Sequence, residues 1–165
     1  MIRNLIVYFL LIVSGIVLQT NIIPELISPR AVPDILLIIS VAGALKFSKI
    51  DGLLISFLCG LISDFATGLV VGPQAAGNLI ACLTIQVFSK HVYANKYLSL
   101  AILAGGAVLV KELSSNLIVN IFSPTDNFSD RFSYLLEILP LEIIVTSILA
   151  PFVIRLFRKR VSTKV

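Results

Sequence analysis

The sequence has no tryptophan, one methionine, one histidine and two cysteines. Each scarcity excludes something. The lone histidine, His91, sits in a loop beside Lys90, which removes most metal-ligand and acid–base chemistry. Cys59 and Cys82 lie inside apolar segments without metal-like spacing, so they read as packing residues and not as a disulfide framework. Without tryptophan, an aromatic ligand cage would rest on Phe and Tyr alone. The ten Phe are spread over most apolar segments and read as packing or lipid-facing residues. Charge is the scarcest property: 13% of the 165 residues are Asp, Glu, Lys or Arg, about half the roughly 25% of a soluble domain. There is no nucleophile elbow, HExxH pair or phosphate-binding loop. Ser63 and Asp64 are adjacent on a helix, so their side chains diverge and make no nucleophile–base pair. These absences argue against an enzyme, a cofactor and a metal centre.

Apolar residues fill the space: 58% of the chain, with a mean hydropathy of +1.03. A soluble domain of this size cannot hide that much apolar side chain. The solvent this composition fits is lipid. Six spans of about 20 residues would use roughly 120 residues and leave about 45 for tails and loops. The chain therefore reads as a single all-α membrane domain of six transmembrane helices, near 5–23, 31–47, 52–69, 72–89, 97–122 and 134–157. The first run is too long for a signal-peptide core and no small-x-small cleavage site follows it, so it reads as an uncleaved helix. The second has only 11 apolar residues, Ile35 to Leu45, between Asp34 and Lys46. That is too short for an ordinary bilayer unless 31–47 contributes or the bilayer thins locally.

Loop charges give the orientation. With both termini in the cytoplasm, the inner regions hold Arg3, Lys46, Lys49, Lys90, Lys96, Arg155, Arg158, Lys159, Arg160 and Lys164. The outer loops hold only Arg30 and Arg131, with the acidic Glu25, Asp126 and Asp130. This is a positive-inside distribution. It explains the net charge of +4 as topology, with no nucleic-acid partner. The basic tail reads as an anchor for the last helix, with a lipid-headgroup site as the alternative.

Every fourth residue of the third span is small or acidic: Gly52, Ser56, Gly60, Asp64, Gly68, Gly72. In lipid, helices associate by close backbone approach at small residues. A step of four residues overshoots a turn by about 40°, so the stripe winds and is expected to meet two helices in succession. Asp64, near the outer end of its helix, must face protein or water. It is either a partner-binding or proton-linked site, or a carboxylate accepting amides of the Gly68–Gly72 turn or pairing with a buried base. Lys111 and Glu112 fall in the middle of the fifth span. As sequence neighbours about 100° apart they are poor partners for each other. Glu112, Asn116 and Asn120 share one face. Glu142 follows Pro140, where a kink or helix start is expected. The candidate intramembrane pairs are Lys111 with Glu142 or with Asp64.

The run from Gly60 through Asp64 and Gly68 to Gly72, G-x3-D-x3-G-x3-G, resembles the signature of the MreD family of rod-shape-determining membrane proteins. Pro33-Asp34, opening a short second span, is similar to the same family, as are the length, the span count and the short basic tail. Lys111 and Glu112 are not part of that pattern. The resemblance implies a non-enzymatic subunit of the bacterial machinery for lateral cell-wall elongation, multi-pass in the inner membrane. It implies binding to an MreC-like bitopic periplasmic protein. It further implies an indirect link from an MreB-like actin filament to a RodA-like polymerase and its class B transpeptidase. It also implies a fold resembling the substrate-binding component of energy-coupling-factor transporters, with Gly60, Asp64, Gly68 and Gly72 setting the core and outer turn. The competing reading is such a vitamin-binding component itself. Its usual Ala-xxx-Ala docking face has no counterpart in the first span, which contains no alanine.

Overall fold

The computed structural model describes residues 12–17, 19, 33–67, 71–89, 97–122 and 128–160. Several charges used above lie outside them: Arg3, Glu25, Arg30, Lys90, His91, Lys96, Asp126 and Lys164, as does Gly68 of the small-residue stripe. The described chain is helical, without strands. A stretch at 12–17 (α1) is followed by α2 (Ile35–Lys46), α3 (Lys49–Thr67), α4 (Pro73–Phe88), α5 (Tyr97–Phe122) and α6 (Phe128–Arg160). Among the described residues, two stretches are long and apolar enough to cross a membrane by length and composition, Tyr97–Ile121 and Glu137–Leu156.

The short helix is the hub. α2 packs against α3, α4, α5 and α6, and a Cβ at Gly15 of α1 would stand 3.1 Å from Ile35 and 3.2 Å from Ile39. Every residue from Leu36 to Ala44 is buried. Twelve residues make a helix of about 18 Å, far short of a hydrocarbon core of about 30 Å. Because α2 meets protein on every side, it has no lipid thickness to match, and neither a longer span nor local thinning is needed.

The other helices are apolar outward and small or polar inward. α3 exposes Ile50, Leu54, Phe57, Leu58 and Phe65 and buries Ser56, Cys59, Gly60, Ser63 and Asp64. α4 exposes Ile80, Leu83 and Val87 and buries Ala75, Gly77, Asn78 and Ala81. α5 exposes Leu98, Ile102, Leu113, Leu117 and Ile121, and buries Ala104, Ala107, Lys111 and Ser115. A water-soluble bundle shows the reverse pattern. Here the outer surface suits lipid and the seams rely on close packing.

α6 begins at Phe128 and is continuous through Pro140 and Pro151, so Pro140 lies inside the helix and does not start it. Proline costs a helix one amide donor and crowds the preceding turn. In a membrane bundle, neighbouring groups make up that loss and the helix runs on.

Candidate functional site

Two buried polar constellations stand out, one in the α3–α4 seam and one around the start of α2.

In the seam, α3 and α4 run antiparallel along the small-residue stripe. A Cβ at Gly52 would lie 3.0 Å from Gln86 Nε2 of α4 and 3.1 Å from Ala44 Cα of α2. One turn on, the Ser56 hydroxyl donates to the Asn78 carbonyl at 2.7 Å. At Gly60 the backbones close up: a Cβ would sit 2.6 Å from Gln74 O and 2.8 Å from Ala75 N. No side chain fits there. One further turn brings Asp64, only 1% exposed, to the start of α4. Its Oδ2 accepts from Gly72 N at 2.8 Å and Ala75 N at 3.1 Å, and its Oδ1 from Gln74 N at 3.0 Å. Pro73, the first residue of α4, has no amide to offer. Ala76 N–H donates to Gly72 O at 2.9 Å. Asp64 therefore caps α4 from another helix, and its charge meets the positive end of the helix dipole. Gly72 is the N-cap at φ 125°, a conformation that favours glycine.

Four stripe members, Gly52, Ser56, Gly60 and Asp64, thus meet α4, and Gly52 also meets α2. The stripe touches two helices, and α4 follows it over the whole of this length. Residues four apart form a ridge inclined to the helix axis, and a partner crossing at the matching angle follows that ridge along its length.

The second constellation is centred on Lys111. Its ammonium lies 2.6 Å from Asp34 Oδ2 and 3.0 Å from Glu112 Oε1. Asp34 is the N-cap of α2: its Oδ1 accepts from Leu37 N at 2.8 Å. Its own amide donates to Thr146 Oγ1 of α6 at 3.3 Å. Through its carboxylate and its amide, one buried residue thereby joins α2, α5 and α6. Pro33, also buried, precedes it and receives the Ile35 amide on its carbonyl at 3.0 Å. Glu142 stands one turn before Thr146, part-buried, within Coulombic reach of Asp34, Lys111 and Glu112.

This corrects two expectations. Lys111 pairs with neither Glu142 nor Asp64; its partner is Asp34, and Asp64 is occupied by α4. Lys111 and Glu112 do form an ion pair despite adjacency, because a long flexible lysine side chain can fold back across the 100° between them. Asn116 Nδ2 donates to Glu112 O at 2.8 Å, in line with their shared face. Sequence reasoning missed Thr146 and Asn78. Four-residue spacing from Glu142 points to Thr146; only the fold reveals Asn78, which is fully buried. Neither constellation pairs a nucleophile with a base. Both hold helices together.

The family described as rod shape-determining protein MreD matches residues 1–160 of the chain. Comparison with curated proteins and with solved structures returns no match.

Proposed function

The chain belongs to the MreD family of rod shape-determining membrane proteins, and from that premise we propose that it is a non-enzymatic scaffold of lateral cell-wall elongation. It sits in the bacterial inner membrane as a bundle of six spans with both termini in the cytoplasm. Its fold is of the kind used by substrate-binding components of energy-coupling-factor transporters. It binds an MreC-like bitopic periplasmic protein. Through that partner it connects an MreB-like filament to a RodA-like polymerase and a class B transpeptidase. The candidate partner-binding and core-setting residues are Gly60, Asp64, Gly68 and Gly72, with Pro33, Asp34, Lys111, Glu112 and Glu142 at the hub.

The family match over nearly the whole chain carries this reading. The outward apolar faces of α3 to α6 support it, because they offer surface to lipid and to partner helices. Co-purification from native membranes in mild detergent tests it. Recovery of a single-span periplasmic coiled-coil protein, or of a polymerase–transpeptidase pair, is expected. Recovery of an ATPase pair or a bound vitamin would overturn it, and so would normal rods after depletion in a rod-shaped host.

A further inference from the structure

The unsatisfied buried side-chain polar atoms among the described residues lie on one helix, a turn apart. Asn78 is 0% exposed, and neither its Oδ1 nor its Nδ2 meets a hydrogen-bond partner. One turn towards Gly72 on the same helix, the buried Oε1 of Gln74 is also unpartnered. α4 turns Ala75 to Gly60 of α3, and Gly77 to Lys111 and Ser115 of α5. At 100° per residue, positions 74 and 78 fall between those two contacts and face the bundle interior. Gly77 abuts the backbone of Lys111, and the Lys111 ammonium reaches the first turn of α2 at Asp34. Asn78 is therefore level with the start of the hub helix, and Gln74 lies beyond it. From α6, Glu142 approaches the same depth, one turn before the Thr146 that receives the Asp34 amide. No hydrogen bond or ion pair joins Glu142 to another described residue.

Three carboxyl groups here share one ammonium. Asp34, Glu112 and Glu142 face one ammonium, Lys111, within mutual Coulombic reach. Away from water, unpaired polar atoms are costly and surplus carboxylates more so. What is left over is mainly acceptor: the Glu142 carboxylate and the side-chain carbonyls of Gln74 and Asn78, against one amide donor on Asn78. The complement is a group with positive charge and several N–H donors. Among the described residues, no group of three His, Cys, Asp or Glu is placed to hold a metal ion.

We propose that the interior beyond the α2 N-terminus, lined by Gln74, Asn78, Lys111, Glu112 and Glu142, binds an organic cation bearing N–H donors, an alkylammonium or guanidinium group. Its charge offsets Glu142, and its N–H groups satisfy the Gln74 and Asn78 carbonyls. The chemistry is the same whether the group arrives as a free amine or as the Lys or Arg side chain of a partner helix. The site does not depend on the scaffold reading.

The test uses the full chain in lipid nanodiscs, with unfolding followed by a thiol-reactive dye at the buried Cys59 and Cys82. Methylguanidinium is the first probe, against tetramethylammonium, which has the charge without N–H donors. Co-reconstituted single-span Leu/Ala peptides carrying one Arg, or Leu in its place, form the second arm, read by energy transfer. Methylguanidinium, the Arg peptide, or both give a saturable response that tetramethylammonium and the Leu peptide do not. Glu142→Gln and Asn78→Leu abolish it while unfolding remains cooperative. Gln74→Met weakens it, which keeps the test decisive if Asn78→Leu does not fold. A response to the Arg peptide alone assigns the cation to a partner helix, and one to methylguanidinium alone to a free amine. Silence in both arms, equal response to tetramethylammonium, or responses unchanged in the variants would overturn the proposal.

Discussion

Replacing Lys111 by methionine is the sharpest test of the hub. Methionine keeps the apolar stem of lysine to within one atom of its length and removes the ammonium. The ammonium lies 2.6 Å from Asp34 Oδ2 and 3.0 Å from Glu112 Oε1, with the Lys111 and Asp34 side chains 7% and 3% exposed. Its loss leaves two carboxylates without their counter-charge, and Asp34 is the one that cannot turn to solvent. Asp34 keeps only the Leu37 amide on Oδ1. Breaking a buried pair from one side costs about 3–5 kcal/mol, a large share of a stability of about 5–15 kcal/mol. The comparison variant is Glu137→Gln at an exposed position of α6, where losing a surface interaction costs about 0–1 kcal/mol. Unfolding in nanodiscs, read by dye access to Cys59 and Cys82, and the monodisperse fraction after extraction give the two measures. Lys111→Met falls well below Glu137→Gln in both. The double variant Lys111→Met/Asp34→Asn recovers part of the loss, with a coupling of about 1–3 kcal/mol. Equal behaviour of Lys111→Met and Glu137→Gln, or strict additivity in the double variant, would refute the pairing.

Other expectations follow from local geometry. Gly60→Ala forces α3 and α4 apart, since its Cβ would meet Gln74 O at 2.6 Å and Ala75 N at 2.8 Å, and costs about 1–3 kcal/mol. Gly106→Ala, whose Cβ meets nothing within 4 Å, instead gains up to about 1 kcal/mol in helix propensity; equal effects in melting would contradict the close approach. Asp64→Ala strips three amides of their acceptor, at roughly 1 kcal/mol or more each, and Asp64→Asn loses less because one acceptor oxygen remains. Protease sensitivity of the 68–72 turn ranks them, and a reversed order would remove Asp64 as the cap. Gly72→Ala loses about 1–3 kcal/mol to backbone strain at φ 125°, although its Cβ meets nothing; unchanged melting would show that the turn adapts.

Composition and spacing made the helical, lipid-facing character legible, because both depend on residue type at fixed intervals. The stripe from Gly52 to Asp64 was legible for the same reason, and so was the special standing of Asp64. The pairing of Lys111 was not. Intramembrane charge can be counted from sequence, but which carboxylate a lysine meets depends on which helices are adjacent, and α2 lies at the centre of the bundle. Asp34 looked like a boundary residue at the edge of a short span. It is a buried one because α2 begins inside the bundle, at the depth of mid-α5. Asn78 was silent for another reason: an asparagine among Gly77, Leu79 and Ile80 gives no periodic signal, and its burial follows from the packing of α2, α3 and α5 against α4.

The two carboxylates of the signature region answer one physical problem. A helix that begins away from water cannot hand its first amides to solvent, and each unsatisfied one is costly. α2 and α4 both begin in that setting, and each recruits an aspartate. Asp64 spreads its charge over three amides, from Gly72, Gln74 and Ala75, and the α4 dipole adds to them. Asp34 reaches one amide of α2. A single amide leaves most of a buried charge uncompensated, so Asp34 draws Lys111 from α5. The difference in partners follows from geometry. Asp64 approaches the α4 start end-on from a neighbouring helix, where both its oxygens meet donors. Asp34 belongs to the helix it caps and can turn only one oxygen back to it. The other oxygen is thereby free to tie α2 to α5, while the Asp34 amide ties it to α6 through Thr146. The shortest helix from α2 to α6 is, for this reason, also the one that packs against all the others.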